Sequence, residues 1–394
     1  MIRISLVSLA IFTLAFSARA EDDEPTLLDI KLSDWIKLID EGKTAKQRRR
    51  GVLAVEQIGY SRSRQVVPAI VKALREDKDG EVRTAAARAL GRAVAKAYAE
   101  AREDKKDELP KFETAREALT SAMRLDKDDS VREAAATALG DIGSDARQAA
   151  SALGVALKDK NPTVVRAAAV SLRRMGKDAR EASRDLQDLL ANKNADTEAR
   201  IEATIALGVV RDDLAVLDLL KNVVADEKTE LRLRQAAAEA IGKYGRDGAG
   251  AATVLGAILL SKETPLELKL SVIGAIDQFI NEGKGAIPGL VHTLNEEDRN
   301  LRCLAMQALA KLNRELGESR KPIIQALVKN LDDTNSEVIV TALETLGTLA
   351  SEGLLGESDT VVKKIDVVIA REGKKVVREA AQAARDKIRP IKKD

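Results

Sequence analysis

One cysteine and one histidine stand in 394 residues, beside one tryptophan, three tyrosines and four phenylalanines. Cys303 has no second cysteine, so an intramolecular disulfide is excluded and stability must come from packing. One His and one Cys cannot assemble a zinc site from the usual ligands, and no cofactor-binding motif is present. Aromatic residues at 2% give little to stack nucleic-acid bases on. There is no glycine-rich phosphate loop and no nucleophile elbow. The Asp-rich turns at 77–80 and 126–129 lack the ligand spacing and closing Glu of a calcium loop. No stretch alternates with period two, which predicts an absence of sheet. No catalytic residue, metal ligand or cofactor site is expected.

The first twenty residues form a separate segment. Arg3 precedes an uncharged, largely apolar run over 4–16, and Ala18-Arg19-Ala20 places small residues at a cleavage site. Thirteen residues are too few to span a bilayer, so 1–20 reads as a secretory signal peptide. An acidic stretch at 21–26 then begins the mature chain, and no integral membrane segment is expected after it. Of the 65 Lys and Arg, two lie in the signal, leaving 63 against 63 Asp and Glu. That neutrality predicts no nucleic-acid partner, because counterion release needs clustered cations. The signal segment predicts an exported protein, periplasmic or secreted.

What the chain does have is repetition. The strings VRTAAARALG at 82–91, VREAAATALG at 131–140 and ARIEATIALG at 199–208 share an Arg, a small-residue pair and Leu-Gly, and LRQAAAEAIG at 233–242 is close behind. The marker runs from Arg49 through Arg83, Arg132, Arg166, Arg200, Arg234, Lys269, Arg302 and Ile339 to Arg378, mostly at steps of 33–35 residues. Each unit carries two stretches with apolar residues at helical spacing, joined by turns rich in Asp, Asn, Ser and Thr that supply N-caps. A period near 35 predicts a solenoid in which each unit buries its core against its neighbours. One elongated domain over 27–391 follows, although a compact core would stop growing well short of that length.

These motifs resemble the HEAT repeat, in a subtype similar to bilin lyases. The resemblance implies an all-α, right-handed superhelix of about ten two-helix units, with first helices convex, second helices concave, and protein–protein scaffolding as the usual role. The function expected is a non-enzymatic exported scaffold that binds a protein or peptide along its concave face. The alternatives are a bilin-lyase-like enzyme or accessory factor and a HEAT-type nucleic-acid binder.

The recurrent arginines at 83, 132, 166, 200, 234, 302 and 378 look like a site. Their recurrence in nearly every unit, beside acids such as Asp79, Asp129 and Asp196, marks them instead as a structural ladder that pairs with carboxylates or carbonyls of neighbouring turns. Candidate partner contacts are sought where packing does not dictate the residue. Outward positions are polar at Thr84, Arg88, Glu133 and Thr137 and turn apolar at Ile201, Ile205 and Leu270, which makes those three the predicted inner-wall contacts. The competing reading buries them between units. Two irregularities complete the pattern: a charged insertion at 93–111, and a C-terminus with 11 Lys and Arg against 5 Asp and Glu over 361–394.

Overall fold

A computed structural model describes residues 24–58, 63–103, 112–143, 149–211, 214–312, 317–355 and 359–389. The proposed signal, the loop half of the insertion and the last five residues lie outside them. Among the described residues the fold is twenty α-helices paired in ten repeats. Repeats 1 to 3 are α1 (Leu32–Glu41) with α2 (Ala45–Ile58), α3 (Ser63–Glu76) with α4 (Gly80–Glu103), and α5 (Glu113–Leu125) with α6 (Asp129–Ile142). Repeats 4 to 6 are α7 (Ala150–Ala156) with α8 (Pro162–Met175), α9 (Ser183–Ala191) with α10 (Thr197–Val210), and α11 (Val216–Ala225) with α12 (Leu231–Lys243). Repeats 7 and 8 are α13 (Ala252–Leu260) with α14 (Leu266–Asp277) and α15 (Ile287–Thr293) with α16 (Arg299–Lys311). Repeats 9 and 10 are α17 (Arg320–Asn330) with α18 (Ser336–Ser351) and α19 (Asp359–Arg371) with α20 (Lys375–Ile388).

One expectation fails at the start. Thr26–Leu27 and Ile30–Lys31 pair as a two-residue antiparallel hairpin. Leu28 and Asp29 both take positive φ, 54° and 61°, as a tight two-residue hairpin turn demands. The strands are too short to show alternation in the sequence.

Side-chain caps open six of the ten second helices, and α6, α12, α14 and α20 start without one. Side chains of Asn161, Asp196, Asp298 and Asn335 accept from the backbone N–H of Thr163, Ala199, Leu301 and Glu337. Thr44 and Gln47 cap α2 reciprocally, each side chain accepting from the other's N–H. At Glu230 and Pro265 no side chain caps the helix, so the cap expected near Thr229 and Thr264 is absent there.

Eleven positions after the cap residue comes a row of core side chains. Leu90, Leu139, Leu172, Leu207, Ile241, Ile276, Leu309 and Leu346 are all at most 1% exposed. Burying one such side chain is worth about 1.5–3 kcal/mol. Second helices stack directly on second helices, α4 on α6, α6 on α8 and onward. Small residues make that contact close. A Cβ on Gly91 would come within 2.6 Å of the Ala138 Cβ, so glycine is required where the two helices touch.

Candidate functional site

Counting from the cap residue, the fourth residue of each second helix is Arg48, Arg83, Arg132, Val165, Arg200, Arg234, Lys269, Arg302, Ile339 and Arg378. Two sequence assignments are thereby corrected. The first marker is Arg48, which lies four residues after Thr44, while Arg49 is its exposed neighbour. In repeat 4 the position belongs to Val165, 8% exposed, and Arg166 points outward with a side chain 47% exposed. Arg166 comes only within 3.9 Å of Asp196. The doubled valine in this repeat hid the shift; Asn161 as cap and Pro162 as first helical residue fix it.

The ladder is a relay between repeats. Arg48 donates from Nε and Nη2 to both oxygens of Asp77, at 2.6 and 2.9 Å, and from Nη1 to the Gly42 carbonyl. Arg83 donates to the Asp77 carbonyl at 2.9 Å, to both oxygens of Asp126 at 2.7 and 2.8 Å, and to Asp128. Arg132 continues with the Asp126 carbonyl and both oxygens of Asp159. Each guanidinium thus covers the carbonyl end of its own repeat's first helix and clasps the acid at the equivalent end of the next. The partners are Asp77, Asp126 and Asp159, ahead of the caps Asp79 and Asp128; of the acids named from sequence only Asp129 joins, through Arg132.

These carboxyls sit in an unusual balance. Burial pushes the Asp77, Asp126 and Asp159 carboxyls up, yet the hydrogen bonds and charges of Arg48, Arg83 and Arg132, with a backbone N–H two residues on, hold all three below the usual range. The three guanidiniums are raised by the same bonds against their own desolvation.

The relay stops at Val165, and its partner position has changed too. Asn192 keeps the turn bond to the Asn194 N–H, as Asp126 keeps that to Asp128, but offers no second anionic oxygen. Arg200 and Arg234 turn instead to carbonyls of their own repeats, Leu190 at 3.1 Å and Val224 at 2.9 Å. Without a carboxylate clasp, desolvation lowers the Arg200 pKa, with Asp226 opposing. The clasp returns as Lys269–Glu296 and Arg302–Asp333, at 2.7 and 2.6 Å. Beyond Ile339 the direction reverses: Arg371 of α19 reaches back to Asp332 and the Leu331 carbonyl. Among the described residues, Arg378 bonds the carbonyls of Glu372 and Gly373.

The predicted wall contacts are also revised. Ile201 is 6% exposed and part of the core, so it is no free contact; Ile205 and Leu270 are half-buried against that core. The position after the ladder residue is covered in repeats 5 and 8, at Ile201 and at Cys303, which is 8% exposed, whereas Arg49 and Arg166 at the same position are exposed. Burial also raises the Cys303 thiol pKa. The exposed ridge carries Leu53, Arg88, Glu239, Gln307 and Glu344. All five occupy the fifth position after the ladder residue of their repeat. The helical half of the insertion lengthens α4 to 24 residues, and the rest lies outside the described residues. Among the described residues, no cluster of metal-ligating side chains occurs and no helix is long and apolar enough to cross a membrane.

A family profile of HEAT repeats matches residues 35–111, 92–173 and 116–208. No curated protein sequence matches the chain. Among solved structures, Kap121p is similar over 91% of this chain and 41% of its own, at 13% identity and a TM-score of 0.59. Kap95p in complex with RanGDP is similar over 91% and 50%, at 15% identity and a TM-score of 0.58. Kap121p bound to Pho4p gives 13% identity and 0.55 over 91% of this chain and 41% of that one. The chain therefore spans half or less of these solved chains, and identities this low carry the fold alone. Residues 35–208 match HEAT repeats and the same two-helix frame continues through α20, so the fold is an all-α solenoid of HEAT type.

Proposed function

We propose that the chain is an exported, non-enzymatic scaffold that binds a protein or peptide along the wall formed by its second helices, the concave wall of the HEAT arrangement. The observation that carries this reading is the contrast between two sets of positions on those helices. Ladder and core positions repeat, as stacking requires, while the exposed ridge varies from Leu53 to Arg88, Glu239, Gln307 and Glu344. A surface free of the repeat constraint can be fitted to one partner. The solved relatives include Kap121p bound to Pho4p and to Nup53p, both protein complexes. Export rests on the features of residues 1–20.

The test is photocrosslinking from the exported fraction, with the crosslinker placed in turn at Arg88, Glu239 and Glu344 on second helices and at Lys72 and Lys329 on first helices. One protein captured from the second-helix sites alone is expected. Capture from the first-helix sites alone, or a chain retained in the cytoplasm, overturns the reading.

A further inference from the structure

The second-helix wall is not uniform. Where α2 and α4 meet the start of α6, a groove of about 420 Å³ opens, with Leu53 and Ala85 among its lining residues. Leu53 is 43% exposed, unusual for a leucine on a helix whose other apolar residues Val52 and Val55 are fully buried. Three arginines border the groove, and two are spoken for. Arg49 pairs with Glu81 at 2.8 Å, and Arg92 holds both oxygens of Glu56, at 2.5 and 2.8 Å. Both pairs cross from repeat 1 to repeat 2 and fix the groove's walls. Arg88, one turn before Arg92, is exposed and has no carboxylate partner among the described residues. Across the groove, Thr84 donates to the Gly80 carbonyl and lies 3.3 Å from the exposed Ser130 hydroxyl.

We propose that this groove binds an extended acidic segment of a partner protein, one that sets an Asp or Glu carboxylate on Arg88 beside an apolar side chain on Leu53. The proposal rests on the scaffold reading above and names the chemistry of its partner. An unpaired guanidinium beside an apolar floor fits a carboxylate flanked by an aliphatic residue, and the Ser130 hydroxyl is placed to donate a second hydrogen bond. A nucleic acid fits worse. Only one cation is free, no aromatic ring lines the groove, and the exposed Glu81 would face the phosphates.

The experiment uses the chain from residue 21 and fluorescein-labelled peptides of alternating Leu and Glu, with alternating Leu and Lys and a single-stranded oligo-dT as controls, read by anisotropy. Saturable, salt-sensitive binding of the Leu–Glu peptide is expected. Arg88→Glu and Leu53→Asp each weaken it about tenfold or more, Arg88→Lys weakens it less, and Lys329→Ala on a first helix leaves it unchanged. Both groove residues are exposed, so helix content by circular dichroism stays at the wild-type level. Equal binding of the Leu–Lys peptide, binding untouched by Arg88→Glu, or preference for oligo-dT overturns the proposal. So does sedimentation showing a self-associated chain that Arg88→Glu makes monomeric. Partner crosslinks from Glu239 or Glu344 without any from Arg88 would remove this groove and leave the scaffold reading standing.

Discussion

Arg83 and Asp126 have side chains 7% and 10% exposed, so their bond works where water screens little. Asp126→Asn preserves the turn bond to the Asp128 N–H, as Asn192 does naturally, but removes the anion from a buried guanidinium. We expect a loss of about 3 kcal/mol, read from the denaturant midpoint. Glu81→Gln breaks the exposed pair with Arg49 and should cost under about 1 kcal/mol. Equal effects from the two substitutions would deny the ladder its structural role. At this scale the sequence reveals residue types better than their frame. Three consecutive arginines at 48–50 and two consecutive valines at 164–165 each offered a plausible marker one residue away from the true one. A motif match cannot choose between neighbours, whereas the cap residue can, because helical geometry fixes the fourth residue beyond it. Thr44 with Gln47, and Asn161 with Pro162, were legible signals of that frame.

Elements were legible from periodicity, because each helix buries one stripe and the stripe recurs. Orientation along the wall was less so. On an isolated helix Ile201 faces outward, but in the stack it is buried, where α10 and α12 approach closely through Gly208 and Ala240. The junction between repeats 4 and 5 offers an experiment on the ladder itself. Val165→Arg alone places a cation opposite Asn192, and Asn192→Asp alone sets an unpartnered anion opposite valine across the same cleft. Together they restore the bond seen between Arg132 and Asp159. A double-mutant cycle should give favourable coupling of about 1 kcal/mol or more. Additive effects would mean that the two positions do not face each other.

Across the whole molecule the ladder divides into unlike stretches. Repeats 1 to 4 are joined by Asp77, Asp126 and Asp159, whose folded pKa values lie below their unfolded ones. Their contribution is complete above the unfolded carboxylate pKa of about 4 and fades as pH falls through the lower folded values. Acid should therefore loosen α2 to α6 ahead of α10 to α12, where no carboxylate clasps the ladder residue. Hydrogen exchange across a pH series below about 4 reads this directly. The Asp77→Asn, Asp126→Asn, Asp159→Asn triple variant should begin less protected and change little with acid. A uniform loss along the chain would contradict it.

The gap in the relay also bears on how the molecule carries load. Three successive junctions, from repeat 4 to repeat 7, lack the carboxylate clasp that ties repeats 1 to 4 and 7 to 9. Exposed pairs still bridge two of these junctions, Arg173–Glu202 from repeat 4 to 5 and Lys193–Asp226 and Arg232–Glu198 from repeat 5 to 6. The difference is therefore one of degree: bending should be greater at the unclasped centre than at the clasped ends. The separation between Arg88 and Glu344 would then follow that centre, and a partner of the kind proposed that touched both would set it as a hand sets a pair of calipers.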